Sequence, residues 1–98
     1  MTRQLSLSVN DQPIELDYFV QGFIDHTTGG MLAALEGIGD IKSADISIEG
    51  DKVTIKVNNA LVPINPFVTK IFRNTIAGML SPLKGVGEVN KVNMSIKR

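Results

Sequence analysis

Cysteine and tryptophan are both missing from this chain of 98 residues, which contains one tyrosine and one histidine. Without cysteine the chain can form no disulfide, no thiolate zinc site and no cysteine nucleophile. The absence suits a reducing compartment, so we expect a cytoplasmic protein. The remaining aromatic residues are four phenylalanines, whereas 43% of the chain is hydrophobic. The expected core is therefore built mainly from aliphatic side chains.

A long apolar run is missing as well. The first ten residues, MTRQLSLSVN, contain no apolar core of a signal peptide. No stretch approaches the roughly 18 consecutive apolar residues that indicate a transmembrane helix. We therefore expect neither export nor membrane insertion. The length is close to that of one domain, so the sequence predicts a single domain over residues 1–98.

Net charge is also missing, since ten basic and ten acidic side chains cancel. The two signs are nevertheless separated along the chain. Residues 1–50 carry two basic and eight acidic side chains, and residues 51–98 carry eight basic and two acidic ones. This asymmetry can be neutralised between the halves of one chain, or it can orient two chains against each other. The sequence leaves both possibilities open.

An internal repeat is the strongest pattern present. A shift of 48 positions aligns residues 3–50 with residues 51–98 without a gap. Such a match over the whole chain indicates an internal duplication. Thirteen positions are identical, and in the first copy they are Val9, Asn10, Phe19, Val20, Thr27, Gly30, Met31, Leu32, Leu35, Gly37, Gly39, Ser47 and Ile48.

Each copy predicts a strand, a helix and a second strand. Alternating apolar residues at the start and end of each copy are typical of strands with one buried face. Between them Asp17 and Asn65 provide side-chain oxygens for helix N-termini, and Gly37 and Gly85 permit the left-handed turn that ends a helix. Two such units predict an α+β, ferredoxin-like βαββαβ sandwich, with both helices on one face of a four-stranded antiparallel sheet.

Two segments resemble known proteins. Residues 35–57, LEGIGDIKSADISIEGDKVTIKV, resemble the helix end, strand, hairpin and strand of heavy-metal-associated domains. Those domains carry a Cys-x-x-Cys loop after the first strand, where this chain has NDQPIEL, so their metal transfer is not implied. Residues 63–85, PINPFVTKIFRNTIAGMLSPLKG, are similar to short bacterial proteins of no known role.

No catalytic, cofactor-binding or metal-ligating residue is predicted. The Gly-x-Gly sequences at 37–39 and 85–87 follow predicted helices, whereas phosphate-binding loops precede them. His26, the single histidine, has no identifiable nucleophile or orienting group, so an enzyme is the less favoured hypothesis. The polar strand face has no aromatic residue on which bases could stack, so nucleic acid binding by the sheet is not expected. Weak binding of nucleic acid through Lys70, Arg73 and Lys84 is a less favoured hypothesis.

The predicted helices have more apolar surface than one sheet can cover. Projected at about 100° per residue, the apolar arc of the second helix spans roughly 220°. Candidate interface residues at the edges of these arcs are Asp25, Leu32, Arg73 and Leu80. We expect a homodimer in which the acidic half of one chain meets the basic half of its twin. The alternatives are another protein partner or a small apolar ligand held between helices and sheet.

Glycine recurs inside both predicted helices, at Gly30 and Gly78. In the middle of a helix glycine costs about 1 kcal/mol relative to alanine. The recurrence predicts a close approach of each helix to the sheet or to the sister helix.

Overall fold

The computed structural model describes residues 4–35, 37–83 and 86–98. Within these ranges the chain forms two helices and six strands, and the α+β class is confirmed. In chain order the elements are β1 (Gln4–Val9), β2 (Gln12–Pro13), α1 (Tyr18–Ala33), β3 (Ser43–Glu49), β4 (Lys52–Val57), β5 (Ala60–Leu61), α2 (Pro66–Leu80) and β6 (Lys91–Lys97).

The strands form one antiparallel sheet in the order β2-β1-β6-β3-β4-β5. The sheet has six strands rather than the predicted four, because a two-residue strand pairs with the end of each outer long strand. A ferredoxin-like sheet has the first and third long strands at its centre. Here the second and fourth, β3 and β6, are central, so the predicted arrangement is corrected to this order.

The two halves of the chain contribute equivalent elements. A shift of 48 residues carries β1 onto β4, β2 onto β5 and β3 onto β6 with identical bounds, and it carries the start of α1 onto that of α2. Exchanging the halves also leaves the strand order unchanged when the sheet is read from its other edge.

Both helices begin where the sequence predicts. The side chain of Asp17 accepts a hydrogen bond from the backbone N–H of Val20, and Asn65 accepts one from Val68, each at 2.8 Å. These contacts satisfy amide groups that have no partner inside a helix.

Both helices end earlier than predicted. α2 stops at Leu80 because Pro82 has no N–H to donate to the preceding turn. After α1, Leu35 donates to the carbonyl of Leu32, and this tighter bond closes the helix before Gly37. Gly37 does adopt a left-handed backbone, with φ at 83°, but it lies beyond the helix. Gly85 lies outside the described residues.

The core lies between the helices and one face of the sheet. As expected, it is mostly aliphatic, and Phe72 is an aromatic exception among the buried residues. Alternate residues of the long strands face the core, while those between them are exposed or half-buried. The helices contribute Ile24, Leu32, Phe72, Ile76 and Leu80 to this core.

Asn10 and Asn58 link each half of the chain to the other. Both have a left-handed backbone, with φ at 52°, which asparagine tolerates. The side-chain oxygen of Asn58 accepts from the backbone N–H groups of Lys42 and Ser43 at 2.8 and 3.1 Å. Its amide donates to the carbonyl of Asp40 at 2.8 Å. Asn10 makes the three equivalent bonds, with Asn90, Lys91 and Glu88.

Replacement of Asn58 by glycine tests these bonds. Glycine accepts the positive φ, so Asn58→Gly removes the hydrogen bonds without adding backbone strain. We expect a loss of about 1–3 kcal/mol in the free energy of unfolding, measured by urea denaturation. Asn59 is a matched control, since its φ of 67° is also positive and its side chain makes no hydrogen bond to another of the described residues. Equal losses in Asn58→Gly and Asn59→Gly would contradict this role.

Candidate interaction surface

Two predicted interface residues lie in the core instead. Leu32 and Leu80 are 0% exposed, so neither can contact a partner helix. The apolar arc of each helix includes both inward and outward positions, and its width does not show which edge faces the sheet. The inward positions recur every four residues and include Leu32 on α1 and Leu80 on α2.

Asp25, the third predicted interface residue, is also buried, with 2% of its side chain exposed. The guanidinium of Arg98 lies 3.4 Å from its carboxylate and also donates to its backbone carbonyl at 3.3 Å. Gly29 makes room for this arrangement, because a β-carbon there would collide with the guanidinium. The carboxylate therefore ties α1 to the end of β6 within one chain.

Arg73, the fourth predicted residue, ties α2 to the end of β3. Its Nε donates to the carbonyl of Gly50 at 2.6 Å and lies 3.3 Å from the carboxylate of Asp51. Arg73 is 48 residues after Asp25, and Arg98 is 48 residues after Gly50. The two helix contacts are thus equivalent in position, with the charge on the helix reversed.

Part of the charge asymmetry is therefore neutralised inside the chain. Lys91 adds a further contact between the halves, with its ammonium 3.1 Å from the carboxylate of Asp11. The hydrogen bond to Asp11, together with its negative charge, raises the pKa of Lys91 above the ordinary value. The stabilisation from this contact is present at neutral pH and is lost as the pH rises through that raised pKa.

Aromatic side chains occupy the solvent side of the helices. Phe19 and Phe23 are 75% and 51% exposed, and their rings stack with centroids 6.2 Å apart. Phe67 and Ile71, at the matching positions of α2, are 69% and 42% exposed. Together with other exposed residues of the same stripes they form what we call the outer helical face: Phe19, Phe23, His26 and Gly30 on α1, and Phe67, Ile71, Asn74 and Gly78 on α2.

Gly30 and Gly78 do not have the predicted role. Both are exposed, and a β-carbon built on either would meet no other part of the described chain within 4 Å. They therefore permit no close approach to the sheet or to the sister helix.

The opposite face of the sheet forms a shallow concavity of about 590 Å³. Asp45 pairs in register with Lys56 across the β3–β4 ladder, so opposite charges face each other there. The lining polar residues are Ser6, Ser8, Asp45, Ser47, Thr54, Lys56, Asn93 and Ser95. None of these is aromatic, and nothing in the group provides a nucleophile paired with a base.

The described residues contain no cluster of three or more metal-ligating side chains. Across 4–35, 37–83 and 86–98, neither helix is long and apolar enough to cross a bilayer. His26 is exposed on α1, away from the concavity of the sheet. The outer helical face was missed at the sequence level, although the identity of Phe19 and Phe67 was a signal of it.

Comparison with protein-family models, with curated proteins and with solved structures gives no match to this chain. A proposal of function therefore depends on the side chains that the chain exposes.

Replacement of Arg98 by alanine tests the buried contact with Asp25. We expect Arg98→Ala to lower the free energy of unfolding by about 1–3 kcal/mol, because it removes the guanidinium that lies 3.4 Å from a carboxylate in the core. This is less than a fully buried pair would lose, since 24% of the Arg98 side chain is exposed. Lys97→Ala is the control, because Lys97 is exposed. Equal loss in both variants, measured by urea denaturation, would contradict this assignment.

Proposed function

We propose that the protein is a non-enzymatic interaction module that self-associates as a homodimer through the outer helical face. The observation that carries this proposal is the exposure of Phe19, Phe23, Phe67 and Ile71 at matched positions of the two helices. Leu32 and Leu80 have no part in it. Exposed apolar side chains grouped in this way are typical of protein interfaces.

Burial of these side chains supplies the driving force. Full burial of one phenylalanine stabilises by about 1.5–3 kcal/mol. In a two-fold dimer every contact occurs twice, so each side chain counts twice. Even partial burial of four such residues per chain is therefore enough to offset a substantial part of the cost of association.

Charge bears on how two copies would pair. α2 carries Lys70 and Arg73, whereas the single acidic side chain of α1, Asp25, is buried against Arg98 of its own chain. Pairing of α1 with α2 of a second copy therefore keeps the two basic helices apart. A small apolar ligand between helices and sheet is less well supported, because the residues lining that space form one continuous buried cluster.

Internal duplication and a cytoplasmic location are two further parts of this proposal. The equivalence of the two halves favours origin by duplication of a strand-helix-strand unit, as the match of residues 3–50 with 51–98 indicates. A cysteine-free chain suits action in the cytoplasm.

Substitution of the exposed phenylalanines tests self-association. We expect wild-type dimers at micromolar concentration, and Phe19→Glu or Phe67→Glu should raise the dissociation constant at least about 100-fold, because each removes two buried rings from the dimer. The measurement is molar mass by light scattering across a dilution series.

Leu61→Glu is the matched control. Leu61 is 67% exposed, almost the same as Phe67 at 69%, but it lies on β5 at the sheet edge. It should leave the dissociation constant unchanged. A wild-type monomer at high concentration, or an equal effect of Leu61→Glu, would refute the proposal.

A further inference from the structure

Every long-strand ladder among the described residues joins one half of the chain to the other. The first half, residues 3–50, contributes β1 and β3, and the second half, residues 51–98, contributes β4 and β6. The ladders pair β1 with β6, β6 with β3, and β3 with β4. Each half therefore needs a complementary half to complete its sheet, and any copy of the chain can supply one.

Side-chain contacts between the halves follow the same rule. Asp25 of the first half lies against Arg98 of the second, and Asp11 lies against Lys91. Asn58 of the second half binds the backbone of the first through both atoms of its amide. If two copies exchanged their second halves, each of these contacts would form again between the copies. An exchange of halves therefore keeps all of them.

The connection between the halves is the part of the chain that an exchange must change. The turn between β3 and β4 consists of Gly50 and Asp51. Extension of this turn would send the second half of one copy to the first half of another. Two chains that open in this way form two complete sheets, each built from the first half of one copy and the second half of its twin.

Arg73 contacts this turn directly. Its Nε donates to the carbonyl of Gly50 at 2.6 Å and lies 3.3 Å from the carboxylate of Asp51. Gly50 has a left-handed backbone there, with φ at 58°, so extension of the turn moves the carbonyl that Arg73 binds. Unlike the contacts between the halves, those of Arg73 depend on the bent turn and are lost when it opens.

We propose that Gly50 and Asp51 form a hinge at which two copies of this chain exchange halves, and that Arg73 is the latch that holds the hinge closed. Within one chain the short turn keeps the halves at a high effective concentration, so the closed form prevails in dilute solution. High protein concentration during folding, or loss of the latch, favours the exchanged dimer. This dimer does not involve the outer helical face.

A pair of cysteines can report the exchange, because the natural chain has none. Ser47 and Asn93 are partners across the β3–β6 ladder, at a Cα separation of about 4.5–5.5 Å that a disulfide can span. In the double variant Ser47→Cys/Asn93→Cys, the disulfide forms within one chain when the hinge is closed and between two chains when the halves are exchanged.

The double variant is unfolded in urea, refolded at low micromolar or at near-millimolar concentration, and then oxidised. A denaturing gel without reductant separates the two kinds of disulfide. We expect single chains after dilute refolding and a large fraction of covalent dimers after concentrated refolding, because exchange competes with closure only near the effective concentration of the halves.

Arg73→Ala, added to the cysteine pair, tests the latch. It should raise the ratio of covalent dimer to monomer at least about tenfold at the same refolding concentration, since a hydrogen bond to a charged group is lost only from the closed form. Arg98→Ala is the matched control. Its contact with Asp25 is present in the closed and in the exchanged form, so the ratio should not change.

Phe19→Glu provides a test without cysteine. This chain lacks the proposed surface dimer, but after concentrated refolding it should still contain a dimer by light scattering. That dimer should persist after dilution, because its return to monomers requires unfolding.

Disulfides confined to single chains at every refolding concentration, with Arg73→Ala included, would overturn the proposal, as would an equal effect of Arg98→Ala. Complete absence of a persistent dimer in Phe19→Glu would also overturn it. These results are separate from self-association through the outer helical face, since Ser47 and Asn93 line the opposite face of the sheet. A natively folded wild-type monomer that gives covalent dimers only after concentrated refolding would refute the surface dimer alone.

Discussion

The antiparallel pairing of β3 with β6 is the interaction on which the rest of the structure depends. It runs over seven register pairs, from Ser43 with Lys97 to Glu49 with Lys91, and it joins the last strand of each half at the centre of the sheet. Neither half places its own two long strands side by side, because a strand of the other half lies between them. The sheet under the helix of each strand-helix-strand unit is therefore continuous only because the other unit contributes a strand to it.

Contacts between the two halves of the chain also hold the helices in place. Asp25 on α1 meets Arg98 at the end of β6, and Arg73 on α2 meets Gly50 at the end of β3. These contacts and the buried leucines determine which side of each helix faces the sheet. The helical period then determines which residues project away from it. Phe19 and its equivalents therefore project outward from helices whose opposite side is buried in the core. The exposed apolar surface is consequently a property of the fold and not of a loose segment.

The sequence was sufficient for the long strands and the helix starts, but not for the helix ends, the two short strands or the strand order. Alternation, the N-cap residues Asp17 and Asn65 and the match at a spacing of 48 gave the long strands and the helix starts. The strand order did not follow, because a hairpin between β3 and β4 is compatible with either pair of long strands at the centre. The site was missed because leucine and phenylalanine are equally apolar in a helical projection. Asp25 pairs in the core with Arg98, which is 73 residues away in the chain, and no local pattern reveals such a contact.

The account rests on the claim that a second copy of the chain covers the outer helical face. The most direct test is the native mass spectrum of the wild-type protein, recorded from low to high micromolar concentration. The account predicts a species of twice the 10.6 kDa chain mass that carries no adduct and gains intensity with concentration. A single chain at every concentration, or a single chain with a retained apolar molecule, would contradict it.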